Sequence, residues 1–407
     1  MIFNIPNEVL FILNKLRKNG FEGYVVGGAL RDSLLGLKPR DFDIATNAEV
    51  SDLKKIFGKT IESGKGHGTI GILTEQGIID ITRFRGKIFN NSLDSLRDDL
   101  DRRDFTINAL AYDPQHFTLV DPFFSYSNLI SDIVVIKSND PKLRFEEDPL
   151  RILRVASLIA RIYEAKKKWK IEKETLVEII KLSKKLSNVA FERINKELIK
   201  ILSSEKVDLL FRLLYHFGII KTLVPEMTNK ELFRKKMYLL KLLRCSNIEL
   251  KLSALMYSES IRDAKVILTK LKFSSKIVKR VLKILEFSSL QLKSDDYNLR
   301  KFISLVGKDL IEDVLIFKEA INILEGKNVD FETLKSKIDK FLKGNFPLFV
   351  SDLAISGNDI TTVLRIEGGK MVGEILEELL ELVLKRPDMN KKTTLLKYLR
   401  EKLKPGK

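Results

Sequence analysis

The run Val26-Gly27-Gly28-Ala29-Leu30-Arg31-Asp32, followed nine residues on by Asp41-Phe42-Asp43, is the densest concentration of chemically useful residues in this 407-residue chain. A Gly-Gly pair closing an apolar strand lets backbone N–H groups approach a phosphate with no Cβ in the way. The helix that starts there turns its positive end toward the same phosphate, and Arg31, one turn in, adds a charge-assisted contact. Asp41 and Asp43, at i and i+2 on a strand, point to one face and can share hard divalent cations. Magnesium ions on such a pair would activate a hydroxyl nucleophile and neutralise a triphosphate leaving group. Turn chemistry would explain either piece alone; their order and spacing together favour the chemical reading.

Such residues need a scaffold, and the periodicity supplies one. Tyr24-Val25-Val26, Ile70-Gly71-Ile72-Leu73, Ile78-Ile79-Asp80-Ile81 and Ile133-Val134-Val135-Ile136 read as strands, the middle two joined by a hairpin turn at Thr74-Glu75-Gln76-Gly77. A helix is expected over Ser51–Phe57, opened by Ser51 as N-cap with Asp52 in its first turn. From Asp148 onward apolar residues recur every three or four positions, as in Leu150, Leu153 and Ile159, then Ile194, Leu198, Ile199 and Leu202. Helices separated by short Gly, Pro or Ser breaks continue to Leu399. The fold class is therefore α+β: a small mixed sheet with helices, followed by an all-helical remainder. The expected divisions are 1–140, 141–205, 206–300 and 301–407, within the two to four domains this length implies.

Charge divides at the same place. The formal net charge is +17, yet residues 1–140 carry 17 Lys+Arg against 19 Asp+Glu, so the helical part holds the whole excess. That excess is either a long surface for a polyanion or a solvated lysine-rich shell. One cysteine, Cys245, excludes an intramolecular disulfide, and with His67, His116 and His216 far apart it cannot complete a zinc set. No apolar stretch approaches a membrane span, and the basic residues of Met1–Gly20 come at its end, unlike a signal peptide. A cytoplasmic protein in a reducing compartment, with neither membrane nor DNA as partner, is expected.

Several motifs in order carry a resemblance. Gly27-Gly28-x-x-Arg31-Asp32 with Arg40-Asp41-Phe42-Asp43-Ile44-Ala45-Thr46 resembles the first motif of the class II tRNA nucleotidyltransferases, the CCA-adding enzymes and their poly(A) polymerase relatives. Arg102-Arg103-Asp104-Phe105-Thr106-Ile107-Asn108-Ala109 is similar to their second motif, and Glu147-Asp148-Pro149-Leu150-Arg151 to the one that selects the incoming base. The likeness continues through Phe191-Glu192-Arg193-Ile194 to Ile355-Ser356-Gly357-Asn358-Asp359 and so covers essentially the whole chain. It implies a polymerase-beta-like head followed by helical neck, body and tail, the tail binding tRNA. It implies that Asp41 and Asp43 are catalytic and hold Mg2+, that Gly28 and Arg31 contact the triphosphate, and that Arg103 and Asp104 contact the nucleotide, Asp104 near the ribose 2′-hydroxyl. The substrates implied are CTP, with or without ATP, and the 3′ end of tRNA. A helix-end ion pair with Asp98 or Asp99 is the structural alternative for Arg102 and Arg103.

Asp148 and Arg151, at i and i+3 on a helix, would project from one face. Cytosine and adenine each offer an amino donor beside a ring-nitrogen acceptor, so one carboxylate and one guanidinium satisfy either base. Uracil and guanine put an N–H where the arginine needs an acceptor, at a cost on the order of 1–3 kcal/mol per unmet group. An intrahelical salt bridge is the plainer alternative.

Two departures from the family stand out. An arginine is common two turns beyond Arg151, after the one at Arg154, which is also assigned to the nucleotide; here Ser157 occupies that position, so a phosphate contact is missing or supplied elsewhere. Between Arg85 and Arg102, where CCA-adding members hold a longer flexible loop, this chain has only Gly86–Asp101, much of which reads as an acidic-capped helix. In the family, loss of that loop accompanies addition of CC alone, and a mobile loop is a mechanical means of reorienting the base-reading pair. A CC-adding enzyme is therefore expected, with a poly(A) polymerase or a non-catalytic RNA-binding protein as alternatives. His67 is either a positioning residue or an ordinary turn residue. Lys166-Lys167-Lys168-Trp169-Lys170 is either an RNA contact with a stacking platform or a solvated helix face or loop, and Cys245 reads as core.

Overall fold

The β-branched runs pair as the periodicity requires. In the computed structural model, which describes residues 3–62, 68–75, 77–86 and 91–402, the first half is built on seven strands: β1 (Gly23–Val26), β2 (Asp43–Thr46), β3 (Ile61–Glu62), β4 (Thr69–Thr74), β5 (Gly77–Arg83), β6 (Ala111–Asp113) and β7 (Thr118–Val120). They form one sheet in the order β3-β4-β5-β2-β1-β6-β7, with only β2 and β5 parallel. Val25, Ile44, Ile70 and Ile81 are buried along it, and helices α1 (Asn7–Lys18), α2 (Gly28–Leu34), α3 (Val50–Phe57), α4 (Ser92–Asp101) and α5 (Ser125–Ile130) accompany it.

Register decides what the sheet carries. One row across its middle pairs Val26 with Asp43, Asp43 with Asp80, and Asp80 with Gly71. Val26 leads into Gly27, so the glycine turn and two carboxylates lie on adjacent strands at one level. Gly27, whose φ is +78°, breaks the strand and caps α2, a conformation that a side chain would strain.

Beyond the sheet come β8 (Ile133–Ile136), α6 (Pro141–Glu147), α7 (Leu150–Glu164), β9 (Lys168–Ile171), α8 (Lys173–Leu182), α9 (Phe191–Leu202), α10 (Val207–His216) and α11 (Ile219–Leu223). Helix α7 buries Ile152, Leu153, Val155, Ala156, Ile159 and Ile162. Its polar stripe at three- and four-residue spacing is Arg151, Arg154, Ser157 and Arg161. The chain forms two compact units, Met1–Lys230 and Glu231–Lys407. In the second, all helices and turns among the described residues, Ser356 and Asp359 form a reciprocal capping box at the helix Gly357–Leu364, and Lys392 pairs with Asp359 at 2.6 Å. No helix among the described residues is long and apolar enough to cross a membrane.

Four local expectations change. Helix α3 begins at Val50 with Glu49 as N-cap: the Glu49 carbonyl, not a serine side chain, receives the first N–H groups, and Ser51 sits in the first turn. The lysine run around Trp169 is a turn at Lys166 and a strand from Lys168 on. Its last residues form β9, paired in parallel with β8, and Trp169 packs edge-on against Tyr163 at 6.1 Å. The expected all-helical remainder is thus interrupted by this one strand among the described residues. Cys245 is exposed, because the helix Lys230–Leu242 has ended and its apolar period closes at buried Leu243. His67 lies outside the described residues.

Candidate active site

Asp43 opens β2 and Asp41 precedes it outside any regular element, so the pair straddles the strand's start rather than lying within it. Burial pushes the Asp43 carboxyl up to about 6, and the neighbouring Asp41 and Asp80 charges add to the effect, against the pull of Arg103 and Arg154. Asp80 was not singled out from sequence, although a carboxylate inside Ile78-Ile79-Asp80-Ile81 was the available signal. Three hard-oxygen side chains in mutual repulsion fit a divalent cation. Among the described residues, however, no group of three His, Cys, Asp or Glu is close enough to hold a metal by itself. Any ion there would complete its shell with substrate phosphate and water, the habit of magnesium.

A cavity of about 410 Å³ opens over these carboxylates. Its lining includes Gly28, Arg31, Asp41, Asp43, Arg103, Asp104, Arg151 and Arg154, together with Asp80 and Asn108. Arg102 and Arg103 do form the helix-end pairs with Asp98 and Asp99, at 2.9 and 3.0 Å, on the C-terminal turn of α4. Arg103 nevertheless reaches the cavity beside Gly27, where a Cβ would meet its Nη1 at 3.0 Å. Its buried Nε donates to no described residue.

Asp104 is 5% exposed. Its Oδ1 accepts from the Phe105 amide at 2.9 Å and from Asn108 Nδ2 at 3.0 Å. Its Oδ2 lies 3.1 Å from Arg154 Nε, close as a charge but out of line for a hydrogen bond, and accepts none among the described residues. Burial alone would push this carboxyl up; the Arg154 charge, the Asn108 and Phe105 hydrogen bonds and Arg151 together hold it below the usual carboxylate range. Asn108, within the Arg102–Ala109 motif, also accepts from Arg31 Nη1 at 2.7 Å, and so joins the glycine turn to Asp104.

Asp148 stands apart from the other candidates. Pro149 lacks an N–H and disfavours helical geometry in the residue before it, so α6 stops at Glu147 and α7 starts at Leu150. Asp148, at φ −145° and ψ 96°, sits in the break; it does not share a helix face with Arg151 and does not line the cavity. The intrahelical salt bridge between the two, the plainer alternative, is absent among the described residues. Asp148 Oδ2 accepts from Arg193 Nη2 of α9 at 2.7 Å, whereas Arg151 Nη1 reaches Glu147 at 3.3 Å and the Arg144 carbonyl at 3.2 Å. At the position of the missing arginine, Ser157 donates to Glu197 at 2.6 Å, and Lys200 holds the same carboxylate at 2.9 Å.

Comparison with known proteins places this arrangement. The Poly A polymerase head domain model matches residues 23–134, a model of an RNA and SrmB-binding site of polymerase A matches 169–231, and tRNA nucleotidyltransferase domain 2 matches 243–399. The CCA-adding enzyme of Ligilactobacillus salivarius is 30% identical, with 93% of each chain covered. Poly(A) polymerase I of Haemophilus influenzae is 32% identical but covers 55% of this chain and 53% of its own. The crystal structure of the Bacillus stearothermophilus CCA-adding enzyme in complex with CTP superposes with a TM-score of 0.80 at 24% identity over 98% of both chains, which shows a shared fold. With head, RNA-binding and second-domain models matching in chain order and a full-length relative at this identity, the chain belongs to the class II tRNA nucleotidyltransferases, the family of the CCA-adding enzymes and poly(A) polymerases.

Proposed function

We propose that the chain adds cytidines to the 3′ end of tRNA from CTP without a nucleic-acid template, stopping at CC. The observation that carries the chemistry is the sheet register, which sets Asp43 beside Asp80 and one residue from the glycine turn. The tRNA 3′-hydroxyl attacks the α-phosphorus of CTP in line; the new P–O bond forms as the bond to the β-phosphate oxygen breaks and pyrophosphate leaves. Asp41 and Asp43 would hold magnesium, which when bound would supply charge neutralisation for the triphosphate and would acidify the attacking hydroxyl. Gly28 and Arg31 take the triphosphate. Arg103, with its Nη1 beside Gly27, donates to the nucleotide. Asp104 Oδ2, which accepts no hydrogen bond among the described residues but is covered by Arg154, suits the ribose 2′-hydroxyl, a donor that deoxynucleotides lack, once Arg154 gives way.

Base choice belongs to Asp148 and Arg151. Cytosine N4 donates to the carboxylate and N3 accepts from the guanidinium, in competition with the present partners Arg193 and Glu147. Arg154 follows Arg151 on the same face of α7. The basic excess of residues 141–407 is the surface for the tRNA body, with salt-dependent affinity.

The stop at CC is argued from the segment before Arg102. Helix α4 takes up ten of its residues and is pinned throughout: Ser92 to Glu22 at 2.7 Å, Asp99 to the Arg85 amide at 3.0 Å, Asp98 to Arg102 at 2.9 Å, and Asp101 to Arg144 at 3.4 Å. Little chain remains for a lever. The name of the Ligilactobacillus salivarius relative favours the second reading, addition of the full CCA. Incubating the protein with tRNA lacking its 3′ end, CTP, ATP and Mg2+, then sequencing the product, separates these outcomes. Tails ending in CC support the proposal, an efficient terminal A replaces it with the second reading, and long adenosine tails on unstructured RNA indicate a poly(A) polymerase. No incorporation on any RNA leaves an RNA-binding protein.

A further inference from the structure

A closed circuit of polar contacts runs around the nucleotide cavity, beginning and ending on one helix. Arg161 of α7 donates from Nε to Asp32 Oδ2 at 2.9 Å. Asp32 Oδ1 accepts from Arg31 Nε at 2.9 Å and Nη2 at 2.6 Å. Arg31 Nη1 donates to Asn108, Asn108 donates to Asp104, and Asp104 faces Arg154, two turns before Arg161 on α7. Asp32, Asn108, Asp104 and Arg161 are all buried. Arg161 has a second attachment: its Nη2 donates to the Lys38 carbonyl at 2.5 Å, and Lys38-Pro39-Arg40 runs directly into Asp41. Its Nη1 pairs with Glu164, which also holds Arg40 at 2.6 Å.

We propose that Arg161 is a positioning residue for nucleotidyl transfer, fixing through Asp32 the guanidinium of Arg31 and through Lys38 the segment that delivers Asp41. The inference rests on the function proposed above. Every arm of the Arg161 guanidinium is already engaged, so the residue acts through its partners and not on phosphate. The need for it follows from charge. Asp41, Asp43 and Asp80 lie in the same cavity as Arg31 and attract it; the doubly bonded Asp32 carboxylate is the charged group that opposes that pull, with Asn108 as a neutral second tie. Without Arg161, Asp32 keeps a buried, uncompensated oxygen and Arg31 loses its fixed anchor. Lysine is a poor substitute, because one ammonium cannot present the planar fork that reaches both Asp32 and a backbone carbonyl.

The test uses the full chain with Arg161→Met, Arg161→Lys and the double variant Asp32→Asn/Arg161→Met, which removes the stranded charge should the first variant fold poorly. CTP binding without turnover, CTP incorporation and tRNA affinity are measured separately. Loss of one charge-assisted anchor should weaken CTP binding about tenfold. Displacement of Asp41 should lower kcat about 10- to 100-fold. The double variant should share both defects, Arg161→Lys should recover them only in part, and tRNA affinity should stay within about twofold, since no RNA-facing group moves. Wild-type CTP binding and kcat in the folded double variant would overturn the proposal, reducing Arg161 to a structural tie. If the wild-type chain binds CTP but transfers nothing, the proposed function fails, while the effect of the Arg161 variants on CTP binding still decides the positioning role.

Discussion

Asp148 Oδ2 and Arg193 Nη2 are 2.7 Å apart, which joins the break between α6 and α7 to the start of α9. The carboxylate proposed to read the base is here occupied by an arginine, so under that proposal the base and Arg193 compete for it. The Arg193 side chain is half-exposed, and such a pair contributes at most about 1 kcal/mol. Arg193→Met should therefore leave the melting temperature nearly unchanged and tighten CTP binding by up to about fivefold. A clear loss of CTP affinity in a titration would show that Arg193 supports the reading position of Asp148 instead.

Removing the carboxylate itself has a different signature. Asp148→Ala leaves the cytosine amino group without its acceptor, at about 1–3 kcal/mol. CTP incorporation efficiency should fall about 10- to 100-fold, and the preference for CTP over UTP should shrink with it. Competition between the two nucleotides measures this directly, and undiminished selectivity would mean that the base is read elsewhere.

Asp43 couples function to stability with a definite sign. Its folded-state pKa, about 6, is raised above the ordinary 3.8, so its contribution favours the folded state below pH 4 and is lost as pH rises through 6. Metal-free protein should accordingly lose stability over this window, by no more than about 2–3 kcal/mol from this group. Asp43→Asn should flatten the dependence and raise the melting temperature near neutral pH, while abolishing incorporation and leaving tRNA binding intact. Retained incorporation, or a lower melting temperature at pH 7, would count against the assignment.

Gly86, at φ +106°, lies against the end of α4, where an added Cβ would fall 1.7 Å from Asp98 Oδ2 and 2.4 Å from Arg102 Nε. Gly86→Ala should break that pair and cost on the order of 1–3 kcal/mol in thermal or denaturant unfolding. An unchanged midpoint would show that the segment relaxes freely.

In the second unit, Ser356→Ala removes half of a capping box and should cost about 1 kcal/mol. The KM for CTP should not respond. A changed KM would imply that the Ile355–Asp359 motif does more than start a helix.

The legible parts of the site were those encoded locally. The Gly27-Gly28 turn, the flanking strands, α4 and the arginine stripe of α7 each follow from spacing within a dozen residues. The break at Asp148 was also written locally, in the Asp-Pro dipeptide, but the i,i+3 spacing to Arg151 suggested a continuous helix. Asp80 joins Asp43 only through parallel register, and no local pattern sets which residues of two distant strands stand abreast. The circuit from Arg161 to Asp32 crosses 129 positions of sequence and is invisible to any periodicity.

The pairing of β8 with β9 bears on how this protein is made. Strand β8 ends at Ile136, but its partner begins at Lys168, after α6 and α7. During synthesis from the N-terminus, Ile133–Ile136 waits unpaired until α7 and the strand behind it have left the ribosome. Truncation near residue 140 would make that wait permanent, exposing a β-branched edge suited to intermolecular pairing. Because α6 and α7 lie between the two strands, both helices precede closure of this pair, and a chain stalled before Lys168 cannot form it.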